Sequence, residues 1–231
     1  MNFVDFEAWL IDPSTSDQEV EGKRKFMKTS KDGPVTQLDV IGKSNGLLRK
    51  KAKEFFKGNK TLDIIHVMEY LEKIQDNTKI LEARIISAYL LGMYKKQFDK
   101  KVWDRLHTWI DGVDHWTAAD HLCIDVYGHF PVYDPPYYDN LMDEIISSNF
   151  WRRRIAVVCF IKHVRTSSKA VERMLNLMDR IVTDKQYYVR KAIPWLLREA
   201  SKSEPKLIKA YIDKNRGNLK LSEMKEASKY L

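Results

Sequence analysis

The chain has 231 residues, room for one large domain or two small ones. Its 40 Lys and Arg against 32 Asp and Glu leave a formal charge of +8 and a pI of about 9.2, which suits a polyanionic partner without specifying one. With 44% apolar residues, two cysteines and no apolar run near membrane length, the composition excludes a disordered chain, a disulfide-stapled scaffold and a membrane-spanning protein.

The opening stretch, MNFVDFEAWLIDP, carries acids and no basic n-region, so it does not read as a signal peptide; two cysteines with no disulfide framework or CxxC pair lead to the expectation of a reducing, cytoplasmic setting. Residues 1–30 hold one or two helical stretches. The segment SKDGPVTQLDVIGKSNGLLRKKAKEFF turns at Gly33-Pro34 and again from Gly42 to Gly46, then enters a basic helix near Leu47. Beyond it, four segments align: KILEARIISAYLLGMYKK from Lys79, HWTAADHLCIDVYGHF from His115, FWRRRIAVVCFIKHVR from Phe150 and QYYVRKAIPWLLREASK from Gln186. Their starts are 36, 35 and 36 residues apart. The candidate N-caps are Thr78, Asp114, Asn149 and Asp184 or Lys185. Shorter helical patterns fall between them, at Lys101–Trp109, Tyr137–Ser147 and Ala170–Val182. Few stretches alternate as strands do, so the chain reads as all-α. A long helix and a shorter partner at this period predict an α-solenoid of HEAT-like repeats with a concave face; an ordinary helical bundle is the alternative. The chain from Ser201 onward holds eight Lys or Arg against four acids, either a DNA-facing surface or a solvated one.

Helical geometry sorts the unusual residues. In the second repeat Ala119, Leu122, Cys123, Val126 and Phe130 form the core face. Trp116 falls on its edge and Asp120 lies roughly 100° from its centre. These two are one turn apart, an indole beside a carboxylate. In the fourth repeat Val189, Ala192, Ile193, Leu196, Leu197 and Ala200 form the apolar side. Trp195 projects roughly 130° away, toward Tyr188, Lys191, Arg198 and Lys202. An aromatic ring among cations suits nucleic acid, the ring for base or sugar and the cations for phosphate; packing under a neighbouring helix is the other reading. Pro194 predicts a kink or a fresh start just before Trp195. The third repeat opens Trp151-Arg152-Arg153-Arg154, three cations against the helix dipole, which calls for either a bound phosphate or carboxylates from a neighbouring helix.

Other chemistry is poorly supported. The histidines 107, 115, 121 and 129 lack the i, i+4 spacing of a zinc helix, so no metal is expected. There is no GxGxxG, P-loop or GxSxG, and no cofactor is expected. Cys123 and Cys159 read as buried thiols, and Trp9, Trp103 and Trp109 as core.

The Trp-x-x-x-Asp helix, the aromatic-Trp-x-x-Arg helix start and Lys-Ala-Ile-x-Trp-x-Leu-Arg-Glu together resemble the AlkD-like DNA alkylation repair family, glycosylases built from HEAT-like repeats. The strongest part is YVRKAIPWLLREASKSEPKLIKAYI. The resemblance makes residues 1–231 one domain, with divergent helices over 1–78, the best-matching repeats over 79–215 and a C-terminal helix or tail over 216–231. RKFMKTS resembles the family's Tyr-Met-Lys stretch, with Phe26 in the place of the usual Tyr. By position, Asp120 matches the family's catalytic Asp, Trp116 and Trp195 match the two Trps flanking the damaged nucleotide, and Arg154 matches its phosphate-binding Arg. What this implies is a monomeric, monofunctional glycosylase acting on N3- or N7-alkylated purines in double-stranded DNA, without deep base flipping. It would be held on phosphates by Arg152, Arg153, Arg154, Lys191 and Arg198, with Tyr188 and Phe26 as further DNA contacts. A non-catalytic module for branched or distorted DNA, or a protein scaffold, is the alternative.

Overall fold

In the computed structural model of the chain, residues 2–12, 16–27 and 36–231 are described, the side chains of Asp17, Lys25, Phe26 and Met27 excepted. The expected turn at Gly33-Pro34 and the Phe26 side chain therefore lie outside the described residues. Thirteen α-helices and no strand occur among those residues: α1 Phe3–Ile11, α2 Asp17–Met27, α3 Asn45–Gly58, α4 Ile64–Thr78, α5 Leu81–Met93, α6 Lys100–Asp111, α7 Trp116–His121, α8 Tyr137–Glu144, α9 Phe150–Val158, α10 Ser168–Ile181, α11 Tyr187–Ala200, α12 Pro205–Lys214 and α13 Leu221–Ala227. The chain divides into two compact units, residues 1–129 and 130–231. A repeat protein divides readily, because each repeat is held mainly by its neighbours.

The helices follow their apolar spacing. In α10 the residues Ala170, Val171, Met174, Leu177, Met178 and Ile181 recur at three and four and are all buried, while Ser167 accepts from the Ala170 N–H at 3.2 Å to start the helix. Asp63 and Asp99 cap α4 and α6 in the same way. The core faces predicted for α7 and α11 are both buried. In the first unit α3, α5 and α7 pack in succession; in the second α9, α11 and α13 do so. This every-other-helix stacking is the HEAT-like arrangement that the 35–36-residue spacing predicts.

Only one of the four predicted N-caps is right: Asn149 accepts from the Trp151 N–H at 2.9 Å. Thr78 instead donates back to the Ile74 carbonyl at 2.8 Å, and α5 starts after Ile80 with no side-chain cap. Asp114 receives bonds from Thr36 Oγ1 and the Gln37 N–H, so His115 caps α7 through Nδ1. Asp184 bonds the N–H of Gln186, which is itself the cap residue of α11. Nor does α11 start anew at Pro194; the helix runs through it, and the ring withholds only the N–H that the Arg190 carbonyl would accept.

Among the tryptophans, Trp103 and Trp109 are core as expected, Trp109 donating to Glu72 at 2.8 Å. Trp9 is not: it is half-buried, with the Lys43 and Lys51 ammonium groups 5.2 and 5.0 Å from its ring centre. Both cysteines are free and buried. No helix among the described residues is long and apolar enough to cross a membrane.

Candidate DNA interface

In the first unit the candidate site is the helix that begins at His115. Its side-chain cap fixes the start of α7, and Trp116 stands on the first turn with its ring centre 5.4 Å from that of His115. Asp120 follows one turn later. Both Trp116 and Asp120 are partly exposed, while Thr117, Ala118 and Ala119 between them are buried. The helix thus turns its apolar side inward and carries the indole and the carboxylate at its margin. The expected long helix is not uniform: after His121 the winding widens to a π turn over Leu122–Val126 and then tightens to a 3₁₀ turn over Tyr127–His129. π turns within helices are frequent at functional sites, and this one begins two residues after Asp120.

The widened winding lies against Gly92 of α5, so close that a Cβ there would come within 2.1 Å of the Asp125 carbonyl oxygen. The same turn carries a polar cluster: His121 Nδ1 lies 3.0 Å from Asp125 Oδ2, Tyr89 Oη lies 3.2 Å from His121 Nε2, and Arg49 Nη2 lies 3.2 Å from Asp125 Oδ1. Sequence reasoning missed this cluster; the i, i+4 spacing of His121 and Asp125 was its one visible signal.

In the second unit α9 and α11 pack directly. The three arginines at the start of α9 have protein partners. Arg152 pairs with Glu144 at 2.6 Å, and Arg153 pairs with Asp184 at 2.7 Å and donates to the Ser147 carbonyl at the same distance. Arg154 is 5% exposed and donates to the Tyr188 carbonyl. Of the two predicted resolutions, neighbouring carboxylates are what stands against Arg152 and Arg153. Arg198 binds Glu226 and Glu199, and Lys202 binds Glu199 at 2.7 Å. Burial alone would raise the Glu199 carboxyl, but the bonds and charges of Lys202 and Arg165 outweigh it and hold that carboxyl below its usual range.

The expected aromatic neighbour of Trp195 also changes. Tyr188 is buried and stacked on Trp151, ring centres 4.9 Å apart and planes 27° apart, so it is a packing residue. The partly exposed ring is Tyr187, and the Lys191 ammonium sits 5.6 Å from its centre. Tyr187, Lys191 and Trp195 follow at intervals of four, so one stripe of α11 reads ring, cation, ring, with Lys191 exposed and Trp195 half-buried. Among the described residues no group of three His, Cys, Asp or Glu is placed to hold a metal ion.

Residues 13–231 match the family model of DNA alkylation repair enzymes, and the chain belongs to that family. Two solved structures share its fold. A predicted DNA alkylation repair enzyme from Enterococcus faecalis superposes with a TM-score of 0.76 at 17% identity, covering 94% of this chain and 96% of the other. The protein smu.31 from Streptococcus mutans UA159 gives 0.56 at 20% identity, over 81% of this chain and 98% of its own. No curated protein matches the chain in sequence.

Proposed function

We propose that this protein is a monofunctional DNA glycosylase that hydrolyses the N-glycosidic bond of N3- or N7-alkylated purines. The observation that carries the reading is Asp120 placed one turn after Trp116, both partly exposed, on the margin of a helix in a chain of the DNA alkylation repair family.

Alkylation at N3 or N7 leaves the purine with a positive charge, and the C1′–N bond is weakened before any enzyme acts. As that bond breaks, its electron pair goes to the base, which departs neutral, and cationic character develops on the sugar. The Asp120 carboxylate stabilises that charge. It also orients the water that adds to C1′ and takes up its proton. The Trp116 indole lies against the deoxyribose and supports the same charge through its π face. In the second unit Trp195, with Tyr187 and Lys191 on the exposed stripe of α11, offers DNA a flat ring with a phosphate cation nearby. A carboxylate acting on the sugar has no need of a deep pocket for the base, so the extrusion into a pocket used by most base-excising enzymes is not required and bulky adducts are accepted. No covalent sugar intermediate is involved, so the product is an intact strand with an abasic site.

The test is product analysis on duplex DNA treated with a methylating agent. Released 7-methylguanine or 3-methyladenine with no strand cleavage is the expected result. Tight binding with no released base would assign the alternative, a non-catalytic module for distorted DNA.

A further inference from the structure

The arginines expected to hold phosphate in the second unit are ion-paired and mostly covered, whereas an arginine of the first unit that drew no attention in the sequence is ion-paired and still keeps much of its side chain in solvent. Arg49 lies on α3, one turn after Asn45. Its guanidinium carbon sits 3.9 Å from the centre of the Tyr89 ring, and Nη2 bonds the Asp125 carboxylate, at 3.2 and 3.4 Å. Beneath it the contacts close into a loop. Tyr89 Oη meets His121 Nε2, His121 Nδ1 meets Asp125, and the Asn45 amide nitrogen lies 3.4 Å from His121 Nε2.

Two features separate Arg49 from the more covered arginines of the second unit. Its side chain is 48% exposed, against 12–22% for Arg152, Arg153, Arg190 and Arg198. It also sits over an aromatic ring and is tethered to the Asp125 carboxylate, so its position is largely set before any ligand arrives. An exposed Arg–Asp pair by itself stabilises little, which leaves the stacking and the tether without a purpose in folding alone. A fixed guanidinium with its outer edge in solvent is suited to a bidentate phosphate, and preorganisation lowers the ordering cost of binding one. The clamp is anchored on His121, the residue directly after Asp120.

We propose that Arg49, with Asn45 beside it, is a backbone phosphodiester site on the first unit, held in position by Tyr89, His121 and Asp125. This rests on the reading that Asp120 acts on DNA.

The test is a titration of an undamaged duplex by fluorescence anisotropy over a salt series from about 50 to 200 mM. Arg49→Gln is expected to weaken low-salt affinity about tenfold and to flatten the log–log salt slope by about 0.9, the share of one neutralised phosphate. Arg49→Lys keeps the charge and loses the fork, so the slope is expected to stay while affinity drops by a smaller factor. A slope unchanged in Arg49→Gln overturns the site, as does a wild-type protein that binds no duplex. Because the duplex carries no damage, a protein that releases no base can still show the slope change. A protein that does release base but keeps its slope in Arg49→Gln loses the phosphate site and not its chemistry.

Discussion

Gly92 of α5 and Asp125 of the π turn meet so closely that a methyl group on Gly92 would lie 2.1 Å from the Asp125 carbonyl oxygen and 3.1 Å from its carbon. No Cβ tolerates that separation, and the atoms in the way are backbone, which cannot rotate aside. Gly92→Ala is therefore expected to push the π turn off α5 and to destabilise the protein by about 1–3 kcal/mol, as overpacking does. At this chain length that is a fall in Tm of roughly 2–4 °C per kcal/mol, read by a circular dichroism melt. Any activity that depends on Asp120 should fall with it, because the displaced turn begins two residues later.

Glu82 shows the opposite case, a fully buried carboxylate that is completely engaged. It accepts from the Gly42 N–H at 2.9 Å and the Ile41 N–H at 3.2 Å, and pairs with Lys23 at 2.9 Å. Gly42 is the turn residue there, at a φ of 86° that favours glycine. Glu82→Ala strips two backbone donors and leaves the Lys23 ammonium, 14% exposed, without its counter-charge. The expected loss is about 3–5 kcal/mol by denaturant titration.

The acid side of the stability profile should carry the mark of Glu72. Burial pushes its carboxyl up, but the bonds from Arg105 and Trp109 and the Arg105 charge outweigh that and hold it below its usual value. A carboxyl depressed in the folded state contributes stability that is present above its unfolded pKa and lost as pH falls through the folded one. The Tm difference between wild type and Glu72→Gln is therefore expected to be constant near neutrality and to shrink below about pH 4. A difference that grows on acidification would contradict this assignment.

The ring–cation–ring stripe on α11 gives a prediction that separates binding from folding. Tyr187 and Trp195 are partly exposed and Lys191 exposed, while Tyr188 is packed under Trp151. Tyr187→Ala and Trp195→Ala are each expected to weaken duplex binding by about 1–3 kcal/mol. Tyr188→Ala should instead lower Tm, by the roughly 3–5 kcal/mol typical of a buried aromatic, with DNA affinity changed less. The reverse pattern in anisotropy and melting data would return Tyr188 to the binding face.

How far the sequence carries the structure depends on how local each determinant is. The helices and their core faces follow from apolar spacing, so α10 and the buried sides of α7 and α11 are legible residue by residue. Asn149 is legible as a cap because its partner is two residues away. Asp114 is not, because its partners are Thr36 and Gln37, 78 and 77 residues earlier. The π turn packs against Gly92 on another helix, a contact that its own residues do not announce. The same holds for the arginines of α9. Their sign pattern announces a need for negative charge, but it takes Glu144 and Asp184 on neighbouring elements to show what meets it. The Tyr187–Tyr188 exchange is a one-residue error in helical phase, settled by what Trp151 covers. Trp116 and Asp120 in the first unit and Trp195 in the second are legible as partly exposed residues off the core faces; the Arg49 clamp is assembled from three helices and is not.

The central claim is that the Asp120 carboxylate acts on the sugar of an alkylated nucleotide. Its most direct test is single-turnover release of 7-methylguanine from methylated duplex by wild type and Asp120→Asn, with enzyme in excess over DNA. The account predicts release by the wild type and a rate lower by about 10²–10³ in Asp120→Asn with binding retained, since the amide keeps the shape and loses the charge. Equal rates from the two proteins, or no released base from either, would contradict it.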